Sequence, residues 1–256
     1  MNPTRTCRNI NLENSRMSPA SDTACGPRIL EVRTKILKKN DELAREMRCR
    51  FEAAGVLVVN MVSSPGTGKT SLLTETLRRL HAAGEPTAAV VGDLETDNDA
   101  RRLAESGVPV RQIMTHGLCH LEADMLQAEL DAWRAEGLGV ESLRYLFVEN
   151  VGNLVCPTSW DLGESVRAAL LSVTEGEDKP LKYPGLFNTA DVAVITKADL
   201  ADACEFDRGL AMANIERVRP GMPVIETSVK SAVGIDEWLA IIAEQRERLV
   251  EGGAGA

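Results

Sequence analysis

Apolar residues at Ile29, Val32, Ile36, Leu43, Met47 and Phe51 recur at steps of three, four and seven, so one amphipathic helix is predicted, ending near Gly55. The period then changes. Residues 56–62 form an apolar run broken only by Asn60, the pattern of a strand buried on both faces. A Gly-containing loop follows, and Leu72, Leu73, Leu77 and Leu80 restore helical spacing. Further strands are predicted at 88–91, 108–114, 143–148, 168–173, 192–196 and 223–227, most of them separated by helical stretches. Strands alternating with helices imply an α/β fold, a mostly parallel sheet flanked by helices. In such a sheet ligands bind outside the carboxyl ends of the strands, so polar residues directly after strands are the candidates for chemistry.

Residues 1–27 are polar, rich in Asn, Ser, Arg and Pro, and carry neither period. They are expected to form a flexible tail ahead of a helix at 28–54 that packs on a domain spanning 55–256. Of the 256 residues, 44% are hydrophobic and 26% charged, the balance of a soluble globular protein. The 29 Lys and Arg against 38 Asp and Glu leave a net charge of −9, which argues against a basic nucleic-acid groove. No run approaches the roughly 18 apolar residues of a membrane span, and the first twenty residues have no apolar core of a secretory signal. A cytoplasmic location is therefore expected, with Cys7, Cys25, Cys49, Cys119, Cys156 and Cys204 kept reduced.

The strand at 56–62 runs into S-S-P-G-T-G-K-T at 63–70 and then Ser71, the strand, Gly-rich loop and helix start of a P-loop NTPase. Gly66, Thr67, Gly68, Lys69, Thr70 and Ser71 are expected around the phosphates, with Lys69 reaching the β and γ groups and the Thr70 hydroxyl on Mg²⁺. Ser63 stands where the G-x-x-x-x-G-K-S/T pattern has its first glycine, and so needs an unstrained φ. A carboxylate for Mg²⁺ is offered at two strand ends, Glu149 and Asp93, with Glu95 and Asp97 competing with the latter. After the strand at 192–196, Thr196-Lys197-Ala198-Asp199 is similar to the guanine-reading N/T-K-x-D motif of GTPases. A carboxylate at Asp199 can accept hydrogen bonds from both N1–H and the exocyclic amine of guanine, a pair that adenine lacks, while the Lys197 stem covers the purine face. Ser228, Val229 and Lys230 end the last strand where similar proteins back the base.

Cys119 and His120 are adjacent in T-H-G-L-C-H-L at 115–121 and are expected at a helix N-terminus, which would lower the thiol pKa. Cys156 lies seven residues past Glu149. Two sulfurs and an imidazole suit Zn²⁺ or Ni²⁺ rather than Ca²⁺ or Mg²⁺. On the residues alone the reading stays open, because a Cys-His pair without C-x-x-C spacing also fits a structural role and Cys156 also fits a core position.

Taken in order, V-N-M-V-S-S-P-G-T-G-K-T-S-L-L, G-D-L-E-T-D-N-D-A-R-R-L, C-H-L-E-A-D-M-L, E-N-V-G-N-L-V-C-P, L-K-Y-P-G-L-F and I-T-K-A-D-L resemble the HypB family. These are nickel-inserting GTPases of NiFe-hydrogenase maturation, within the SIMIBI class of P-loop GTPases. The resemblance runs from about Ile29 to near Trp238. It implies GTP hydrolysis to GDP, Mg²⁺ held by Thr70, Asp93 and Glu149, and a homodimer favoured by GTP whose interface binds zinc or nickel through Cys119, His120 and Cys156. It further implies a small zinc-containing nickel chaperone and the hydrogenase large-subunit precursor as partners, with neither nucleic acid nor membrane. Nucleotide state would reach the metal through the loop from Glu149 to Cys156. The chain departs from many members in lacking an N-terminal C-x-x-C-G-C or His-rich tract, and in having Thr196 where Asn is commoner. The alternatives are a urease-type nickel-chaperone GTPase and a P-loop kinase for a small metabolite.

Overall fold

A computed structural model describes residues 28–93, 98–115 and 117–253, with only the backbone of 28–33, 93, 98–99, 101 and 253. Helix α1 (Arg28–Ala53) leads into β1 (Leu57–Val62), then α2 (Lys69–Ala82), β2 (Thr87–Asp93), α3 (Asn98–Ala104), β3 (Val110–Met114), α4 (Ala123–Ala135) and β4 (Tyr145–Glu149). The second half continues with β5 (Val166–Ser172), α5 (Lys179–Lys182), α6 (Pro184–Thr189), β6 (Val192–Thr196), α7 (Arg208–Val218), β7 (Val224–Glu226) and α8 (Ile235–Gly253). All seven predicted strands form, in the order β3-β2-β4-β1-β5-β6-β7. Every neighbouring pair is parallel, so all seven carboxyl ends lie on one edge of the sheet. The expected tail at 1–27 lies outside the described residues.

The alternation of side chains along each strand divides the core. Leu57, Val59 and Met61 of β1 face Leu72, Leu73 and Leu77 of α2 and Trp238 of α8. Val58, on the opposite face, packs with Ala44, Met47 and Phe51 of α1 and Leu126 and Leu130 of α4. Helix α1 thus closes one face of the sheet, as its period predicts. Ile36 keeps that period yet is 46% exposed, a position before the helix meets the sheet. Among the described residues no helix is long and apolar enough to cross a membrane.

The odd polar residue of β1 has a structural explanation. Asn60 is fully buried; its amide donates to Glu164 Oε1 at 3.4 Å and its oxygen accepts from Asn150 Nδ2 at 3.3 Å. Glu164 in turn takes Arg167 Nε at 2.7 Å and the Leu162 amide at 2.8 Å. Arg48 of α1 pairs with Asp161 at 2.5 Å, and Asn40 donates to the Asp161 carbonyl at 2.8 Å. Burial works to raise the Asp161 carboxyl, yet the Arg48 guanidinium overrides it and holds it below the ordinary carboxylate range. Cys49 of the same helix is disulfide-bonded, contrary to the expectation of six reduced cysteines, whereas Cys119, Cys156 and Cys204 are free thiols. That expectation rested on compartment alone, which says nothing of proximity.

Arg167→Ala should cost about 3–5 kcal/mol, because it leaves the Glu164 side chain, 2% exposed, as a buried charge without its ion partner. Arg78→Ala, at an exposed pair with Glu75, should leave the midpoint nearly unchanged, since solvent screens such a pair. Denaturant midpoints of the two variants check both outcomes.

Candidate functional site

The loop between β1 and α2 is shaped by its glycines. Gly66 and Gly68 hold φ of 74° and 102°, a region that side chains rarely tolerate. Ser63 is absent from the non-glycine residues of positive φ, so the departure from the P-loop pattern carries no backbone strain. Helix α2 starts at Lys69 with Gly68 as N-cap, no side-chain cap and no acid in its first turn, which leaves its N–H groups and partial positive charge for an anion. The Lys69 ammonium is folded into the loop, donating to Ser63 Oγ at 3.0 Å and the Ser64 carbonyl at 3.3 Å. Thr70 Oγ1 donates to Glu149 Oε1 at 2.7 Å, so two of the predicted Mg²⁺ residues are in contact. Asp93 closes β2 in register with Met114; its side chain, and Glu95 and Asp97, lie outside the described residues.

The residues read as base-selecting meet the same loop. Lys197 has φ 57° and ψ 36°, an unusual conformation for a residue with a side chain, and its ammonium donates to the Gly66 carbonyl at 2.6 Å. Thr196 Oγ1 donates to the Thr67 carbonyl at 2.6 Å. Ser228 Oγ donates to Asp199 Oδ1 at 2.6 Å, which orients the carboxylate from the loop after β7. Val229 and Lys230 are exposed beside it. A participant that the sequence reading missed is Glu175, in the turn after β5: its carboxylate accepts from Ser64 Oγ, and from Thr67 Oγ1 at 3.0 Å. Its position just past a strand end was the available signal.

Cys119, His120 and Cys156 converge, their ligand atoms all within 4.8 Å of one another. Asn153 Nδ2 donates to the Cys119 carbonyl at 3.3 Å and ties the two loops together. His120 is 8% exposed and the two cysteines are half-buried. Burial pushes the imidazole below its ordinary pKa, against the upward pull of Glu122, which favours the neutral form that a metal needs. The expected helix N-terminus is corrected: α4 begins at Ala123 with Glu122 as N-cap, so Cys119 precedes the helix. Its thiol is raised, not lowered, chiefly because it hydrogen-bonds to Cys156 and then through burial and the neighbouring sulfur's charge. Two sulfurs so close oppose a second thiolate unless a cation joins them. Exposed Leu118 and Val155 belong to the same loops, and exposed Met114 ends the strand that leads into the first of them.

One residue joins the two halves. Asn150 follows Glu149 directly, and its side-chain oxygen accepts from the Leu121 amide at 3.2 Å and the Val151 amide at 3.0 Å. Leu121 adjoins His120. The phosphate loop and the Cys-His cluster are therefore one hydrogen-bonded assembly; Asn150 lies inside the E-N-V-G-N-L-V-C-P segment without an assigned role, and Glu175 lies in none of the motifs.

Residues 56–226 match the family described as CobW/HypB/UreG, nucleotide-binding domain. The chain is 48% identical over 219 residues to the hydrogenase maturation factor HypB of Azotobacter chroococcum mcd 1, covering 86% of this chain and 70% of that protein. It is 40% identical over 212 residues to the hydrogenase/urease maturation factor HypB of Helicobacter pylori strain 26695, covering 83% and 86%. A crystal structure of HypB from Helicobacter pylori in complex with nickel is similar at a TM-score of 0.77 and 38% identity, over 82% of this chain and 96% of that one.

Near neutral pH Cys119 should alkylate more slowly than the exposed Cys204, its raised pKa leaving less thiolate, and should speed up as pH rises. One equivalent of Zn²⁺ should shield Cys119 and Cys156 while Cys204 keeps reacting. Mass spectrometry of labelled peptides checks this; equal rates at all three thiols, with and without metal, would sink the cluster.

Proposed function

Since the chain belongs to the CobW/HypB/UreG family of nucleotide-binding proteins, among the HypB hydrogenase maturation factors, we propose that it is a GTPase that delivers nickel to the NiFe-hydrogenase large-subunit precursor. The observation that carries the reading is the pair Glu149-Asn150. One side chain takes the Thr70 hydroxyl of the phosphate loop, and the next takes the amide beside His120. A change at the phosphates is thereby felt at the metal ligands, without travelling the whole loop to Cys156.

In this reading the amides of 66–71 and Lys69 bind the phosphates, Asp199 and Lys197 take guanine, and Ser228, Val229 and Lys230 back the base. Thr70, Glu149 and Asp93 hold Mg²⁺, whose charge would offset that of the phosphates; hard hydroxyl and carboxylate donors fit that ion. Nickel is the cargo. Cys119, His120 and Cys156 supply soft and borderline donors that fit Ni²⁺ or Zn²⁺, and three ligands leave a position open for transfer. A second copy bound through the apolar loops bearing Leu118 and Val155 would form the GTP-favoured homodimer. The work is cytoplasmic, with nickel exchanged with a small zinc-containing chaperone. The likeness to the Helicobacter pylori hydrogenase/urease factor supports urease as a second recipient.

By linkage, a nucleotide that alters nickel affinity is itself bound differently when nickel is present, by the same factor. Nickel titrations in Mg²⁺-GDP and in a non-hydrolysable GTP analogue should differ by about 1–3 kcal/mol, with mass measurements giving more dimer in the analogue. Cys119→Ala should weaken nickel binding and spare GTP, and Lys69→Ala should do the reverse. Coincident titrations would remove metal delivery as the outcome of GTP turnover.

Asp199→Asn should weaken GTP binding on the order of 10–100-fold, from the loss of a charged acceptor. It should improve xanthosine triphosphate, whose second carbonyl meets the new amide. Unchanged preference in competition with a fluorescent nucleotide would show that guanine is read elsewhere.

A further inference from the structure

Three polar or aromatic groups surround the His120 ring, and only one side of it meets the sulfurs. Nδ1 lies 3.8 Å from Cys119 Sγ. Nε2 lies 3.3 Å from Glu122 Oε1. A carboxylate can only accept, so Nε2 carries the proton and the lone pair is left on Nδ1. The indole of Trp160 is stacked on the imidazole, with ring centroids 4.3 Å apart and planes inclined by 24°. Trp160 is itself anchored: Arg167 donates from Nη2 to its carbonyl at 2.9 Å and from Nη1 to the Thr158 carbonyl at 3.2 Å.

On these contacts we infer that Glu122 and Trp160 are positioning residues of the metal site, holding His120 so that Nδ1, not Nε2, takes the metal. This rests on the metal-binding reading of Cys119, His120 and Cys156. Glu122 selects the tautomer and makes the imidazole a better donor, as carboxylates behind metal-bound histidines do. Trp160 removes the rotation that an unsupported ring would lose on binding. The stack also lies just past Cys156 in the chain, so the third ligand and the platform for the second arrive on one loop. Since the buried Arg167 pins that loop to β5, the platform is already built before the metal arrives.

The test uses the full chain and Ni²⁺ or Zn²⁺ alone. Glu122→Gln should lower affinity for either ion by roughly 10–100-fold in chelator competition, with GTP affinity retained as a check on folding. Trp160→Leu should also weaken binding, and Trp160→Phe should restore it by keeping a ring against the imidazole. Nitrogen-15 spectra of the metal-free protein should show His120 protonated at Nε2 in the parent and shifted toward Nδ1–H in Glu122→Gln, a change that a merely structural role would not produce. Parent-like affinity in both Glu122→Gln and Trp160→Leu, or Nδ1–H in the parent, would overturn the inference. Cys119→Ala separates the two levels: if it loses metal and Glu122→Gln does not, only the positioning role falls; if neither does, the metal site falls with it.

Discussion

A buried ion cluster holds the site loops in place. Glu164 and Arg167, with side chains 2% and 8% exposed, pair directly, and Arg48 meets Asp161 alongside. Taking such charges out of water is repaid only when the geometry is good and the remaining lone pairs and N–H groups are used. Here they are used on backbone: Arg167 on the carbonyls of Thr158 and Trp160, Glu164 on the Leu162 amide, Asp161 on the Gly163 amide. The segment between Cys156 and β5 therefore has one conformation that satisfies the cluster. An apolar replacement could match its stability, but would not specify where Cys156 and Trp160 lie.

The parallel sheet supplies the second constraint. Its carboxyl ends share one edge, and β4 sits between β1 and β2, so whatever follows β4 is next to whatever follows β1. Glu149 meets Thr70 for that reason, and Asn150 can turn the other way toward Leu121. Asn40 completes the frame from α1, accepting the Ala123 amide at 2.8 Å while donating to the Asp161 carbonyl. One asparagine thus spans the segments that flank Cys119 and His120 on one side and Cys156 on the other.

Periodicity is enough for the architecture: the central strands β1, β4, β5 and β6, buried on both faces, carry mostly apolar runs, and the edge strands β3 and β7, only partly buried, keep enough apolar positions to be found. The P-loop was legible for a similar reason: its glycines are backbone requirements. What lay beyond reach depended on three-dimensional neighbours. The expectation of a lowered Cys119 thiol places it at the start of a helix that begins four residues later, and its actual shift comes from Cys156, thirty-seven positions away. Ile36 kept the helical period yet faces solvent, since period fixes a face and not where the sheet ends. Glu122 and Asn150 lie inside family-like segments that assign them no role, and Trp160 and Glu175 lie outside those segments; each matters through contacts that only the fold makes. Asn60 was visible as a polar break in β1, but its partners Glu164 and Asn150 were not.

For the proposed coupling of nucleotide to metal, magnitudes favour a short route over a large rearrangement. Asn150 uses its oxygen for two amides and its nitrogen for Asn60, all in a setting where it is 1% exposed. A buried amide that loses such an acceptor costs about 1–3 kcal/mol, the same scale as a typical coupling energy between two sites. Displacing Glu149 to exchange its hydroxyl partner for a cation would strain the bond from Leu121 to Asn150, and so move the backbone that carries His120. Because Asn40 and Arg167 fix the far side of each loop, that strain has few other places to relax. The buried network that specifies the fold is in this sense also the part that can carry the signal.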